Sequence, residues 1–207
     1  MNKPYFIGVT GGSGSGKTSF IKKIKERFSP EQVCVISQDD YYKPNENQEL
    51  DENGFYNYDL PKSIDKKKLL EDLERLIAGE TVEKKEYVFN FSETEAKTIY
   101  FIPAPIIIIE GLFVFHYPKI RKLMDLKIYV HAKESYKIIR RIRRDLKERE
   151  EPLEDMLYRY ENHVLPSFEK YIEPYMQISD IVINNNEQES LESGVDALEG
   201  FLKNKLK

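Results

Sequence analysis

At 207 residues the chain fits one domain with a sizeable core and room for a small lid or insertion. Its composition, 40% hydrophobic and 33% charged, is that of an ordinary soluble globular protein, and a net charge of −4 gives no reason to expect nucleic acid as a partner. The single cysteine, Cys34, excludes an internal disulfide and suits a reducing compartment. No signal peptide or bilayer-length apolar stretch is read, so the expectation is a cytoplasmic protein with no membrane partner.

The apolar run Tyr5 to Val9 predicts a strand, and Phe20, Ile21, Ile24 and Phe28 predict a helix. Between them lies Gly11-Gly12-Ser13-Gly14-Ser15-Gly16-Lys17-Thr18. Strand, glycine-rich turn and helix in that order make a phosphate-binding loop, in which backbone N–H groups and the helix start converge on phosphate oxygens. In that arrangement Lys17 reaches the β- and γ-phosphates of a nucleoside triphosphate and the Thr18 hydroxyl takes a place on Mg²⁺.

Val33 to Ile36 predicts a second strand, ending in Ser37-Gln38-Asp39-Asp40-Tyr41-Tyr42-Lys43. Ligands of open α/β sheets lie outside the carboxyl ends of the strands, so Asp39 and Asp40 are expected beside the phosphate loop. Pro44 to Lys62 is polar and without periodicity, and contains Tyr56-Asn57-Tyr58-Asp59-Leu60-Pro61. A helix capped by Asp65 follows, with Leu69, Leu73 and Leu76 inward and Gly79 at its end. Glu86 to Phe91 and Thr98 to Ile102 predict a β-hairpin around polar residues 92–95.

Pro105 to Gly111 is the clearest buried strand, closed by Glu110 where such enzymes keep the acid that holds Mg²⁺ or its water. Leu126 to Val130 predicts a fourth strand. A basic helix from about Glu134 to Glu150 carries Arg140, Arg141, Arg143, Arg144 and Arg149. The next helix, with Leu157, Tyr160, Val164, Phe168, Tyr171 and Tyr175 inward, is expected to bend at Pro166. Ile178 to Ile183 predicts the fifth strand and Leu191 to Leu206 the closing helix. Strands alternating with helices imply an α/β fold with a parallel sheet covered on both faces. One domain over 1–207 is expected, with the hairpin at about 86–102 and a lid region at about 138–160.

The guanine-reading Asn-Lys-x-Asp of switch GTPases is absent, and so are the added elements of ATP-driven motors. A small-molecule kinase remains. It needs Mg²⁺ ligands, a carboxylate for the acceptor hydroxyl and cations on the migrating phosphoryl group. Asp39 or Asp40 supplies the carboxylate, and Thr18 and Glu110 the metal side. Arg141 and Arg144 share one helix face, and Arg149 falls near the helix end.

From end to end the chain resembles the uridine kinase (uridine–cytidine kinase) family of P-loop small-molecule kinases. The matching stretches are GGSGSGKT, SQDDYYK, NYDLPKSID, YVF, IIIEGLFVF, RRIRRDLKERE and YENHVLPSFEKYIEP. The resemblance implies a P-loop αβα sandwich with a five-stranded parallel sheet, a hairpin insertion and a helical lid. It implies Asp39 as the base that takes the ribose 5′-hydroxyl proton, and adds Asp39 to Thr18 and Glu110 as candidate metal residues. Asp59 would hold the ribose, with Tyr58, Tyr87 and Phe89 as aromatic walls. Arg141, Arg144 and Arg149 would meet the phosphates, Arg141 also reaching the acceptor. The implied partners are ATP with Mg²⁺ and a nucleoside, in a homotetramer or dimer.

The chain departs from the family pattern toward the base. Ser92 stands where a histidine is usual, Glu148-Arg149-Glu150-Glu151 replaces E-R-G-R, and Arg159 falls where a glutamine commonly contacts the pyrimidine. The expectation is ATP-dependent 5′-phosphorylation of uridine and cytidine. The alternatives are a kinase for another nucleoside or a sugar-like alcohol, and a nucleotide-binding regulator without turnover.

Overall fold

The computed structural model describes residues 3–86, 97–148 and 152–206. In chain order its elements are β1 (Tyr5–Thr10), α1 (Lys17–Arg27), β2 (Val33–Ser37), α2 (Lys66–Ile77), β3 (Val82–Lys85) and β4 (Thr98–Phe101). There follow β5 (Ile106–Glu110), α3 (Pro118–Arg121), β6 (Leu126–His131), α4 (Glu134–Glu148), α5 (Leu153–Arg159), α6 (Leu165–Tyr171), β7 (Ile181–Asn184) and α7 (Gln188–Lys205). Five strands pair in parallel in the order β2-β5-β1-β6-β7, which gives the α/β sandwich the sequence implied.

Period-two alternation along the strands feeds two cores. On one face Ile7, Val9, Ile106, Ile108, Ile128 and Val130 pack with Phe20 and Ile24 of α1 and Val195 and Leu198 of α7. On the other, Phe6, Cys34, Ile36, Ile107 and Ile109 pack with Leu69 and Leu73 of α2, Phe113 to Phe115 and Phe168 of α6. Ile106 to Ile109 are all 0% exposed, which is why β5 reads as an unbroken apolar run rather than an alternating one. Each buried isoleucine contributes about 1.5–3 kcal/mol. Cys34 is core filler, and burial pushes its thiol up to about 11.

The register matters for the site. Val9 pairs with Glu110 and Glu110 with Ser37, so the carboxyl ends of β1, β5 and β2 lie level. The chain leaves β1 for β2 on one side and later returns to β6 on the other. A sheet with such a switch opens a crevice beside the central strand.

Three expectations are corrected. The antiparallel ladder runs over Val82–Lys85 and Thr98–Phe101, starting four residues before Glu86. The reason is Lys84, whose ammonium sits 4.2 Å from the Tyr41 ring centroid and interrupts the apolar pattern. Residues 87–96, most of the expected first hairpin strand, lie outside the described residues. The fifth strand spans Ile181–Asn184, because Glu173–Ile178 is a 3-10 turn with a proline in its first turn. The helix through Pro166 is α5, a π turn at Tyr160–Val164 and then α6. Pro166 sits in the first turn of α6, where its missing N–H costs least, and the wider turn before it absorbs the bend.

The expected lid region, about 138–160, covers all but the first turn of α4 and the whole of α5, and 149–151 lie outside the described residues. Among the described residues no helix is long and apolar enough to cross a membrane.

Candidate active site

The phosphate loop follows β1 and ends at Gly16, the N-cap of α1, with φ 98°. A Cβ there would lie 1.9 Å from Nδ2 of Asn185, and that amide donates to the Ser15 carbonyl at 2.7 Å. At Gly14, φ 76°, a Cβ would meet the Lys137 carbonyl at 2.3 Å. Only glycine permits these backbone angles and this approach, so β7's end and α4 both lean directly on the loop. Gly11 and Gly12 offer their carbonyls to Lys17 Nζ at 2.8 and 3.4 Å. Burial pulls the Lys17 ammonium below its ordinary value, and the Glu110 and Asp39 carboxylates oppose that.

A cavity of about 480 Å³ opens above this loop. Its floor is Ser13, Gly14, Gly16, Lys17 and Thr18. Asp39 and Glu110 form one wall. Glu110 Oε1 accepts from Ser37 Oγ at 2.8 Å. Burial, reinforced by Asp39 and opposed by Lys17, pushes its carboxyl up to about 7. Asp39 stands in the 3-10 turn Gln38–Tyr41, its amide donating to Ser37 Oγ at 3.2 Å. Asp40 does not line the cavity and acts electrostatically on Tyr41 and Lys84.

Arg140, Arg141 and Arg144 of α4 line the cavity from above. Arg141 Nη1 donates to Ser13 Oγ at 2.9 Å and lies 4.0 Å from Asp59 Oδ1. Asp145, 1% exposed, lies 3.3 Å from Arg141 Nε and accepts from Arg144 Nε at 2.9 Å. Arg140 donates to the Asn185 carbonyl at 3.0 Å.

Tyr58, Asp59, Arg159 and His163 also line the cavity. The Tyr58 hydroxyl donates to Asn45 Oδ1 at 2.8 Å, and its ring meets Tyr42 at 6.1 Å. Arg159 lies 5.4 Å from the Phe55 ring centroid. The loop carrying Tyr58 and Asp59 is tied by Asp51 to the helical segment that carries Arg159 and His163. That carboxylate accepts from the Tyr158 hydroxyl at 2.8 Å and lies 2.7 Å from His163 Nε2. Partial burial would raise the Asp51 carboxyl, but hydrogen bonds from the Phe55 amide, Tyr158, His163 and the Asn53 amide hold it at about 2.

One cavity thus gathers Ser13, Gly14, Gly16, Lys17, Thr18, Asp39, Tyr58, Asp59, Glu110, Arg141 and Arg144 of the expected set. Gly11, Gly12 and Ser15 stand behind it, the last hydrogen-bonded to Asn185. Tyr87, Phe89, Ser92, Arg149 and Glu151 lie outside the described residues. Asn185, Lys137 and Asp51 were not singled out from the sequence. The amide run Asn184-Asn185-Asn186 directly after an apolar strand was the available signal for the first of them.

Thr18, Asp39 and Glu110 offer oxygen donors only, the chemistry Mg²⁺ takes. Among the described residues no group of three or more acidic, histidine or cysteine side chains could hold an ion.

The model of the phosphoribulokinase / uridine kinase family matches residues 6–192. A uridine kinase of Clostridium perfringens (strain SM101 / Type A) is 38% identical over 183 residues, 88% of each chain. A uridine kinase of Oceanobacillus iheyensis is 39% identical over 181 residues, 87% of this chain and 86% of that one. Among solved structures, a possible uridine kinase from Bacillus stearothermophilus aligns with TM-score 0.60 and 20% identity over 88% of this chain and 89% of that chain. A D-glycerate 3-kinase from Cryptococcus neoformans aligns with TM-score 0.61 and 15% identity, covering 89% and 87%. The structural likenesses bear on the fold alone.

Proposed function

Because the chain belongs to the phosphoribulokinase / uridine kinase family, we propose that it transfers the γ-phosphoryl group of ATP to the 5′-hydroxyl of uridine or cytidine. The products are ADP and UMP or CMP. The observation that carries this reading is that Lys17, Asp39, Tyr58 and Asp59 open on the same cavity as the phosphate loop. A nucleoside laid along it would present its ribose to Asp59 and its 5′-oxygen to Asp39.

In this reading the loop amides and Lys17 hold the β- and γ-phosphates, and Arg141 and Arg144 meet the charge that spreads over the γ-oxygens in the transition state. Asp39 takes the 5′-hydroxyl proton as the oxygen–phosphorus bond forms and the bond to ADP breaks. Thr18, Glu110 and Asp39 are the residues that would hold Mg²⁺ or its waters; when bound, the ion offsets the charge of the β- and γ-oxygens. Tyr87, Phe89 and Arg149 belong to the proposal as further pocket and lid residues. The reaction belongs to the cytoplasm, where its donor is found and where Cys34 stays reduced.

Arg159 favours a second reading. A guanidinium lines the acceptor end where the resemblance leads one to expect an amide, which would suit a different nucleoside or an acidic sugar-like alcohol. ADP release from Mg²⁺-ATP, followed with a panel of nucleosides and sugar alcohols, separates the two. Turnover of uridine or cytidine supports the first. Both inert, with another acceptor consumed, establishes the second.

A further inference from the structure

A second cavity, about 880 Å³, lies on the other side of the Leu60–Lys62 turn, between the start of α2, the segment leading into α3 and Tyr171 at the end of α6. No phosphate-loop residue lines it. Its volume falls in the range of small-molecule sites, about 300–1,000 Å³. The floor is aromatic: the His116 ring meets Tyr171 at 5.1 Å and Tyr117 at 5.9 Å, both edge-on. Leu60, Leu70 and Ile120 supply apolar sides.

The rim is cationic. Lys62, Lys66, Lys67 and Lys119 line it, and none of the described lining residues is acidic, in a chain whose net charge is −4. Lys62 pairs outward with Glu49, and the Lys67 ammonium lies 3.8 Å from Glu71. Lys66 and Lys119 have no ion-pair partner among the described residues. The first turn of α2 carries Lys66 and Lys67, and the N-cap carboxylate of Asp65 is taken up by the Lys68 amide at 3.0 Å. Burial, Arg121 and Lys66 hold the His116 imidazole below its ordinary pKa, so the floor presents a neutral ring. A second copy of the chain is disfavoured as the occupant. A two-fold contact through this face would set one lysine-rimmed patch against another.

We infer that this cavity is a second ligand site, for a small molecule that joins a flat heterocycle to a phosphate. The ring lies on His116 and Tyr171, and the phosphate meets Lys66 and Lys119. Nucleotides and phosphorylated coenzymes share that chemistry. The site is independent of which acceptor the first cavity takes.

The test traps pyridoxal 5′-phosphate on the intact protein, with saturating Mg²⁺-ATP present to shield Lys17. The aldehyde condenses with a lysine amine and releases water. Borohydride then delivers hydride to the imine carbon, and peptide masses locate the resulting secondary amine. Saturable labelling confined to the four rim lysines is expected. Pyridoxal without its phosphate should need about tenfold more reagent, the worth of one charge-assisted hydrogen bond. Lys66→Gln with Lys119→Gln should abolish that preference without lowering the melting temperature. Competition by AMP assigns a nucleotide within the class, and its absence with trapping retained assigns a phosphorylated coenzyme. Labelling that follows lysine exposure over the whole surface, or that ignores the phosphate, overturns the inference on the unmodified protein alone. Rim labelling that fades as protein concentration rises, with a change of sedimenting mass in Lys66→Glu/Lys119→Glu, also overturns it and assigns the face to another copy.

Discussion

The carboxylate of Asp145 lies 3.3 Å from Arg141 Nε, one helical turn along α4, and is 1% exposed. The same carboxylate accepts from Arg144 Nε at 2.9 Å and lies 2.8 Å from its Nη2. Two guanidinium groups aimed at the cavity are therefore fixed by one acid behind them. Asp145→Asn keeps the shape and removes the charge. Turnover should fall by about 10–10², the cost of misplacing a positioned group by about an ångström, with the KM for ATP changing less. Unchanged turnover would show that the arginines find their places without it.

Asp39→Asn separates chemistry from binding. If Asp39 takes the acceptor proton, turnover drops by roughly 10²–10⁴, the usual contribution of a general base, while ATP affinity stays near the starting value. ADP release and nucleotide titration read the two quantities. Retention of full turnover would remove Asp39 from that role.

Asn185 props the phosphate loop from the end of β7, donating to Ser15 at 2.7 Å from a position 6% exposed. Asn185→Ala removes one hydrogen bond, a net loss of about 0.5–1.5 kcal/mol, and should weaken Mg²⁺-ATP binding about 2- to 10-fold. Gly16→Ala should be far worse, because its Cβ would fall 1.9 Å from the Asn185 amide at a φ of 98°. Equal affinities for the alanine variant at 185 and the parent would mean the loop holds its shape alone.

Acid should loosen the loop that carries Asp59. The Asp51 carboxyl sits at about 2 against an ordinary 3.8. A carboxyl with a depressed folded-state pKa stabilises fully above its unfolded value, and that contribution is lost as pH falls through the folded one. The window here runs from 3.8 down to about 2. The melting-temperature gap between the parent and Asp51→Asn should be open at about pH 5 and close across that window. A gap that persists at its lower edge would exclude the ionised Asp51 carboxylate as its source.

The phosphate loop and β5 were fully legible, for two different reasons. The glycine spacing has a steric cause at Gly14 and Gly16, and Ile106 to Ile109 are apolar because helices cover both faces. β3 was hidden by Lys84, whose inward ammonium lies over Tyr41 and which no hydrophobic pattern reveals. The choice between Asp39 and Asp40 was open on chemical grounds, since adjacent carboxylates differ only in which way the 3-10 turn points them. Asn185 and Asp51 act through partners 170 and 107 positions away, so local sequence does not name those partners even where, as with the amide run at Asn185, it marks the residue.

Gly14 bears on the carbonyl of Lys137, near the beginning of α4. A rod braced there can turn about the brace but cannot slide past it, so displacement grows toward the other end. From position 137 to 148 the lever is about 16 Å at 1.5 Å per residue. If the helix tilts on nucleotide binding, Arg141, close to the fulcrum, would move less than Arg144. Spin labels at Lys133 and Lys147, each measured against a fixed point on α1, should register unequal shifts when Mg²⁺-ATP is added, the larger at 147; equal shifts would mean that the rod translates whole.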